Sequence, residues 1–389
     1  MRIGLERLVE DPSGWLGGAR VGLVANPSSI NRDLAHAVDL LHAHPDVDLR
    51  MLFGPEHGVR GTAQAMVRVG DSVDAVTGLP ELSLYGPTFD SLSPTAQQLS
   101  GVDVLVFDIQ DVGARYYTYA ATMALCMRVA ARCGVKVVVL DRPNPIGGNQ
   151  IEGGGLRDGL ENFCALYPVP QRHGMTVGEL ARLYNQAFAI GCELDVVECE
   201  GWRRSDYFED TGLPWVMPSP NMPTVDTAIV YPGMCLLEGT NLSEGRGTTR
   251  PFELFGAPFI DGRRLVDELA DSGLEGVGFR ACSIEPTFEK FAGQRCGAAQ
   301  IHVIDRRTFH SYGTGLAILV AVKKLWPNDF SWRTAMYEYR DDVPAIDLLT
   351  GIPEVRLAID DGADLESVFA IACGGTDVFD ASQDAALIY

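Results

Sequence analysis

The chain has 389 residues, 46% hydrophobic and 21% charged, a balance that excludes a disordered or fibrous polypeptide and is long enough for two domains. Lys and Arg total 31 against 52 Asp and Glu, a formal net charge of −21, so phosphate backbones are repelled and nucleic acid is not expected as a partner. An anionic small substrate fits such a chain only where local arginines reverse the field.

The chain opens Met1-Arg2-Ile3-Gly4 with no apolar leader, so as written it is expected to be cytoplasmic, or periplasmic or secreted if a leader was trimmed. The most apolar stretch, 315–322, is too short to span a bilayer, and no membrane is expected as a partner. Residues 20–25, 48–53, 102–107 and 135–140 are short apolar runs that predict strands. Helical spacing over 33–44, with Leu34, Val38 and Leu41 on one face, and over 118–133, stopped by Gly134, places helices between them. This alternation predicts a parallel sheet covered on both faces. Thr176 and Glu179 form a capping box for a helix running to Ile190, and 193–198 and 227–230 read as further strands. Residues 214–258 are rich in Pro, Gly and Asn and too long for a bland connection. Beyond Pro258 the pattern becomes α+β: helices at 263–269, 308–325 and 345–359, strands at 276–284 and 299–304. The expected division is 1–257 and 258–389. Nine cysteines without a CxxC pair predict reduced thiols, with Cys126 and Cys133 in the core.

Each of the four first strands is followed by a polar group: Asn26, Glu56, Asp108 and Asp141. Ligands of open parallel sheets bind beyond the carboxyl ends of the strands, so these four are expected to converge on one crevice. The sharpest loop is FGPEHGVRG (53–61), where glycines and a proline fix the path of Glu56, His57 and Arg60. Glu beside His suits acid–base work or a metal, but no second His stands at ligand spacing, and no metal is expected. In FDIQDVGARYYTY (107–119), Asp108 and Asp111 resemble a magnesium pair, Arg115 is placed to neutralise them, and Tyr117 and Tyr119 offer flat faces for a sugar ring. VLDRPNP (139–145) adds Asp141 and Asn144. PSPNMPT (218–224) and LLEGTNLSEGRGTTRPFE (236–253) add Asn221, Glu238, Asn241, Glu244 and Arg246, a supply of partners for a polyhydroxy ligand. No GxGxxG follows the first strand and no GxSxG elbow occurs, so neither a dinucleotide cofactor nor a serine nucleophile is expected.

These strings, with HGMTVGELA (173–181), KFAGQRC (290–296), QIHV (300–303) and DLLTG (347–351), closely resemble a bacterial family long known only as a domain of unknown function, whose characterised members are exo-β-N-acetylmuramidases. The likeness runs in order along almost the whole chain. It implies a Rossmann-like catalytic domain with a smaller auxiliary domain and a cleft between them. It also implies release of N-acetylmuramic acid from non-reducing ends of peptidoglycan fragments, without a cofactor, and often in exported proteins. The glutamate of the family's GPEHG motif corresponds to Glu56. Glycosidases commonly use two carboxyl groups. Glu56 is the expected first and the expected general acid. Glu238, Asp108 and Glu244 are candidates for the second, unless the 2-acetamido group of the substrate assists instead. The lactyl carboxylate of the sugar calls for an arginine, with Arg60, Arg115 and Arg246 as candidates. Two rival functions share the same crevice: a magnesium-dependent phosphoesterase built on Asp108, Asp111 and Asp141, and a glycan-binding protein without turnover.

Overall fold

A computed structural model describes residues 1–61 and 70–389. Seven strands form one sheet: β1 (Arg20–Ala25), β2 (Asp48–Gly54), β3 (Ser72–Val73), β4 (Pro80–Ser83), β5 (Val104–Asp108), β6 (Lys136–Leu140) and β7 (Leu194–Val197), in the order β3-β4-β2-β1-β5-β6-β7. All neighbours run parallel except β3, which pairs antiparallel with β4 at the edge. The period-two alternation of side chains feeds two cores. Val21, Leu23, Val104, Val106, Val138 and Leu140 point to one face, covered by helices Gly4–Glu10 and Ala37–Ala43. Val24, Leu105, Phe107, Val137 and Val139 point to the other, under helices Tyr119–Cys133 and Val177–Ala187. That second core continues without a break into the C-terminal part of the chain.

The C-terminal part holds an antiparallel sheet of β8 (Leu254–Ala257), β9 (Val277–Ile284) and β10 (Cys296–Val303), with β10 in the middle. The fold is thus α/β with a parallel, Rossmann-like sheet and a smaller α+β unit. Helix Ser311–Leu325 joins the two by packing on helix Val225–Met234. The approach is tight enough that a Cβ on Gly233 would lie 1.8 Å from the Ser311 carbonyl oxygen, and one on Gly315 would lie 2.2 Å from that of Gly233. Among the described residues no helix is long and apolar enough to cross a membrane.

Four sequence expectations are corrected. Residues 227–230 are not a strand but the middle of helix Val225–Met234, whose Thr224 cap accepts a bond from Thr227 N at 3.3 Å; a short buried apolar run has no period that tells helix from strand. The helix expected over 345–359 is two, Ala345–Thr350 and Pro353–Asp360, because Gly351 turns left-handed (φ 71°) and Pro353 starts the second. The helix expected from 33 begins only at Ala37: Asn31 Oδ1 takes the amides of Asp33 and Ala35, and Leu34, at φ 64°, is left exposed. Cys126 is buried as expected, but Cys133, in the last turn of its helix, is exposed.

Candidate active site

A cavity lies beyond the carboxyl ends of β2 and β5, where ligands of open parallel sheets bind. Glu56, His57, Tyr117, Tyr119, Asn221, Glu238, Glu244 and Arg246 all line it, so half of the residues singled out in the sequence meet there. Glu56 is delivered by a tight turn after β2. Gly58 N donates to the Pro55 carbonyl (2.9 Å), His57 and Gly58 are both left-handed (φ 75° and 77°), and Val59 N is taken by Glu81 on β4 (3.1 Å). A non-glycine residue at such a φ is strained and persists only where its surroundings fix it, as here, where His57 is buried. The hydroxyl of Tyr85 lies beside Glu56, and burial together with that carboxylate pushes the phenol far above its usual range. Tyr119 Oη donates to the Pro218 carbonyl (2.8 Å), tying the Glu56 side of the cavity to the 218–224 segment.

Tyr117 and Asn221 keep unsatisfied polar atoms. Tyr117 Oη sits near Ser219 without good hydrogen-bond geometry, and neither it nor Asn221 Nδ2 has a partner among the described residues. Buried polar groups are seldom left unmet, so both are ready to bond a ligand. Glu238 is the opposite case. Its Oε1 accepts from Arg246 Nη2 (2.7 Å) and its Oε2 from Tyr337 Oη (2.8 Å). Burial pushes its carboxyl up, but Arg246, Tyr337 and Lys290 outweigh that and hold it below the ordinary value, ionised. Glu244 is likewise engaged, by Arg246 Nε (3.3 Å) and Lys290 Nζ (3.0 Å).

The other candidates do not line the cavity, and each has a structural partner instead. Arg60 pairs with Asp39 and Asp74, both at 2.7 Å. Asp108 is fully buried in a bidentate pair with Arg142 (2.6 and 2.9 Å). Asp111 takes Gly113 N (2.6 Å) and faces His173 (3.3 Å). Asp141 accepts from Thr176 Oγ1 (2.8 Å), Gly178 N (2.7 Å) and Tyr389 Oη (2.6 Å); burial raises its carboxyl to about 6 against these bonds. The three aspartates of the phosphoesterase alternative therefore face different protein groups, although Asp111 Oδ1 stays without a hydrogen-bond partner among the described residues, and no cluster of three ligating side chains among those residues is arranged to hold a metal. Arg115 is buried and donates to the carbonyls of Gly155 (3.1 Å), Val169 (2.9 Å) and Leu349 (2.7 Å), clamping the two halves of the chain. Asn26 and Asn144 hold loops, donating to the Pro218 and Met175 carbonyls (3.0 and 2.9 Å). Asn241 braces the 329–331 segment through Asp329 O (2.8 Å) and Ser331 N (3.0 Å).

The cavity residues not singled out from the sequence include Lys290, Arg333, Tyr337 and Glu338. Lys290 opens one of the quoted strings, yet its role as counter-charge to Glu244 needs the fold. The other three lie in the irregular stretch between helices Ser311–Leu325 and Ala345–Thr350, where length alone was the available signal. Arg333 is half-buried, donates to the Met336 carbonyl (3.1 Å) and lies 5.0 Å from the centre of the Tyr337 ring; among the described residues it forms no ion pair. Glu338 is pushed up to about 8, first by burial and then by Glu56 and Glu238.

Family models described as exo-β-N-acetylmuramidase NamZ, N-terminal and C-terminal, match residues 21–226 and 229–389. The peptidoglycan β-N-acetylmuramidase NamZ of Bacillus subtilis is 47% identical over 368 residues, 95% of this chain and 86% of that protein. Two crystal structures of Bacteroides fragilis proteins of the DUF1343 family superpose on the whole chain and on 98% of their own. Their TM-scores are 0.89 and 0.76, with 34% and 26% identity.

Proposed function

The chain belongs to the exo-β-N-acetylmuramidase NamZ family, and we propose that it is an exo-acting glycoside hydrolase that releases N-acetylmuramic acid from non-reducing ends of peptidoglycan fragments in cell-wall turnover. The observation that carries this reading is the set of groups gathered around Glu56. They are tyrosine faces, two unsatisfied polar atoms and a cation without a carboxylate partner among the described residues. An N-acetylated acidic sugar needs each of these.

In this reading Glu56 is the essential catalytic carboxyl group. Its proton passes to the glycosidic oxygen as the C1–O bond breaks, water supplies the hydroxyl that C1 gains, and the remaining proton of that water restores the carboxyl group at the end of the cycle. Tyr117 and Asn221 bond the acetamido and hydroxyl groups of the sugar. Glu238 and Glu244 stay ionised and fix Arg246 and Lys290. The lactyl carboxylate is taken by Arg333 rather than by Arg60 or Arg115, whose guanidiniums are engaged outside the cavity, or by Arg246, already shared between two glutamates. The test is incubation with a disaccharide capped by N-acetylmuramic acid, followed by mass spectrometry. Stoichiometric appearance of the free sugar is expected. Tight binding of the intact disaccharide with no release would overturn the reading in favour of a binding protein.

A further inference from the structure

We propose that the β9–β10 loop forms the leaving-sugar side of the site, with Glu289 as the carboxylate that accepts hydrogen bonds from the hydroxyl groups of the sugar next to N-acetylmuramic acid. The proposal rests on the glycosidase reading above and names the contact by which a sugar leaving group differs from any other.

A row of side chains along the cavity wall carries the first part of the case. Lys290 Nζ donates to Glu244 (3.0 Å), Glu244 pairs with Arg246 (3.3 Å), Arg246 donates to Glu238 (2.7 Å), and Glu238 accepts from the Tyr337 hydroxyl (2.8 Å). Two cations and two anions cancel, and every carboxylate oxygen in the row has a partner, so the row acts as a brace. It ties down a strained segment at each end. At one end, Tyr337 N donates to Arg340 O (2.8 Å) and Arg340 N to Tyr337 O (2.9 Å), closing a two-residue turn. Its central residues, Glu338 and Tyr339, are left-handed (φ 45° and 67°), a geometry usually taken by Asn-Gly. At the other end, Glu289 and Phe291, on either side of Lys290, are left-handed too (φ 63° and 61°). Such strain persists only where the surroundings fix it. Here Lys290 spends its two other N–H bonds on the carbonyls of Leu237 (3.0 Å) and Leu242 (2.9 Å). Thr287 donates to the Gly247 carbonyl through both N and Oγ1, each at 2.9 Å. The fit is close enough that a Cβ on Gly247 would lie 2.6 Å from the Phe288 carbonyl oxygen.

What the anchored loop presents to the cavity carries the second part. Glu289 lines the cavity, is exposed, and its carboxylate makes no hydrogen bond or ion pair among the described residues. Lys290, next to it in the chain, is already engaged on the wall. Tyr117 and Asn221, which bond the terminal sugar in the reading above, are each only 7% exposed. An exo-acting enzyme encloses the terminal sugar and leaves the rest of the glycan towards solvent, so the exposed part of the cavity falls to the sugar that leaves. The other cavity carboxyl groups fit that place less well. Glu238 and Glu244 are spent in the brace, and Glu56 and Glu338 are half-buried. The chemistry also suits Glu289. A neutral N-acetylhexosamine offers hydroxyl donors, which a carboxylate binds by charge-assisted hydrogen bonds. The lactyl carboxylate of the terminal sugar is repelled from the same position, which favours entry in the productive direction.

The experiment compares kcat/KM on the capped disaccharide, whose leaving group is a sugar, with kcat/KM on an aryl N-acetylmuraminide, whose leaving group carries no sugar hydroxyl. It is run on the wild type, Glu289→Gln and Glu289→Gly, with circular dichroism as the check on folding. Glycine takes φ 63° without strain, so Glu289→Gly removes the carboxylate and keeps the turn. The ratio of disaccharide to aryl glycoside should fall about tenfold or more in Glu289→Gly, mostly through the KM of the disaccharide, and by a smaller factor in Glu289→Gln, which keeps an acceptor oxygen. An unchanged ratio in folded Glu289→Gly overturns the proposal and leaves the glycosidase reading standing. A second measurement needs no variant: wild-type kcat/KM on disaccharides lacking one hydroxyl of the leaving sugar. A loss of about tenfold at one hydroxyl is expected, and no loss at any of them overturns the proposal. A wild type that releases no N-acetylmuramic acid from either substrate overturns the glycosidase reading instead. Calorimetric titration with the intact disaccharide then decides the contact by itself: affinity about tenfold or more weaker in Glu289→Gly supports it, and equal affinity, or no binding to the wild type, overturns it.

Discussion

Replacing Arg333 with glutamine removes a positive charge while keeping a polar side chain of similar reach. Its guanidinium rests on the Tyr337 ring and one bond to the Met336 carbonyl, so its orientation is set and most of its N–H groups remain for a ligand. A charge-assisted hydrogen bond contributes about 1.5–3 kcal/mol. A bare Coulomb figure at 4 Å and an effective dielectric of 20 is about 4 kcal/mol, which solvent screening of a half-buried group reduces into the same range. At about 1.4 kcal/mol per decade, Arg333→Gln should lower kcat/KM for the muramic-acid-capped disaccharide about ten- to a hundredfold. The matched disaccharide with N-acetylglucosamine at the non-reducing end lacks the carboxylate and should change by no more than about threefold, the scale of an ordinary neutral contact. The assay is the ratio of the two kcat/KM values for the folded variant. Arg246→Gln serves as the contrast. It releases Glu238 and Glu244 together and should impair both substrates alike. An unchanged ratio in Arg333→Gln would refute the assignment.

Glu56→Gln should cost about 10²–10⁴-fold on the disaccharide and far less on an aryl glycoside with a good leaving group, which needs little protonation; equal losses would identify a nucleophile or base instead. Arg115→Met should leave the buried carbonyls of Gly155 and Val169 without their donor, at about 1–3 kcal/mol each, while Leu349 O keeps Gln171 Nε2 (3.4 Å), and should lower stability in urea by at least about 2 kcal/mol. The KM of its folded fraction should stay at the wild-type value, and a selective rise in KM for the lactyl substrate would return Arg115 to the list of substrate ligands.

The parallel sheet and the Glu56 loop were legible because local chemistry decides them. Strands buried on both faces read as apolar runs, and Gly54, Pro55 and Gly58 leave the chain few paths. Neighbouring residues were misread for the same local reason. The left-handed turn at His57 and Gly58 reverses the chain, so Arg60, four residues from Glu56, points to Asp39 and Asp74 instead of the sugar site. Asp108 and Asp141 do stand at strand ends, as a ligand site would require. What the sequence cannot display is that Arg142, Thr176 and Tyr389 reach them first.

Glu338 marks the limit of that kind of reading. Its turn lacks the Asn-Gly pair that makes such geometry visible, and the contacts that hold it in place come from Gly86, Gly159, Glu161 and Glu238, each far away in sequence. A position whose conformation opposes its own local preference can be recognised only after the fold has supplied the compensating contacts. The same reasoning explains the division of labour in the cavity. Glu56 sits on a loop whose rigidity is written into its glycines and proline. Glu338 sits on a turn that owes its shape to both halves of the chain.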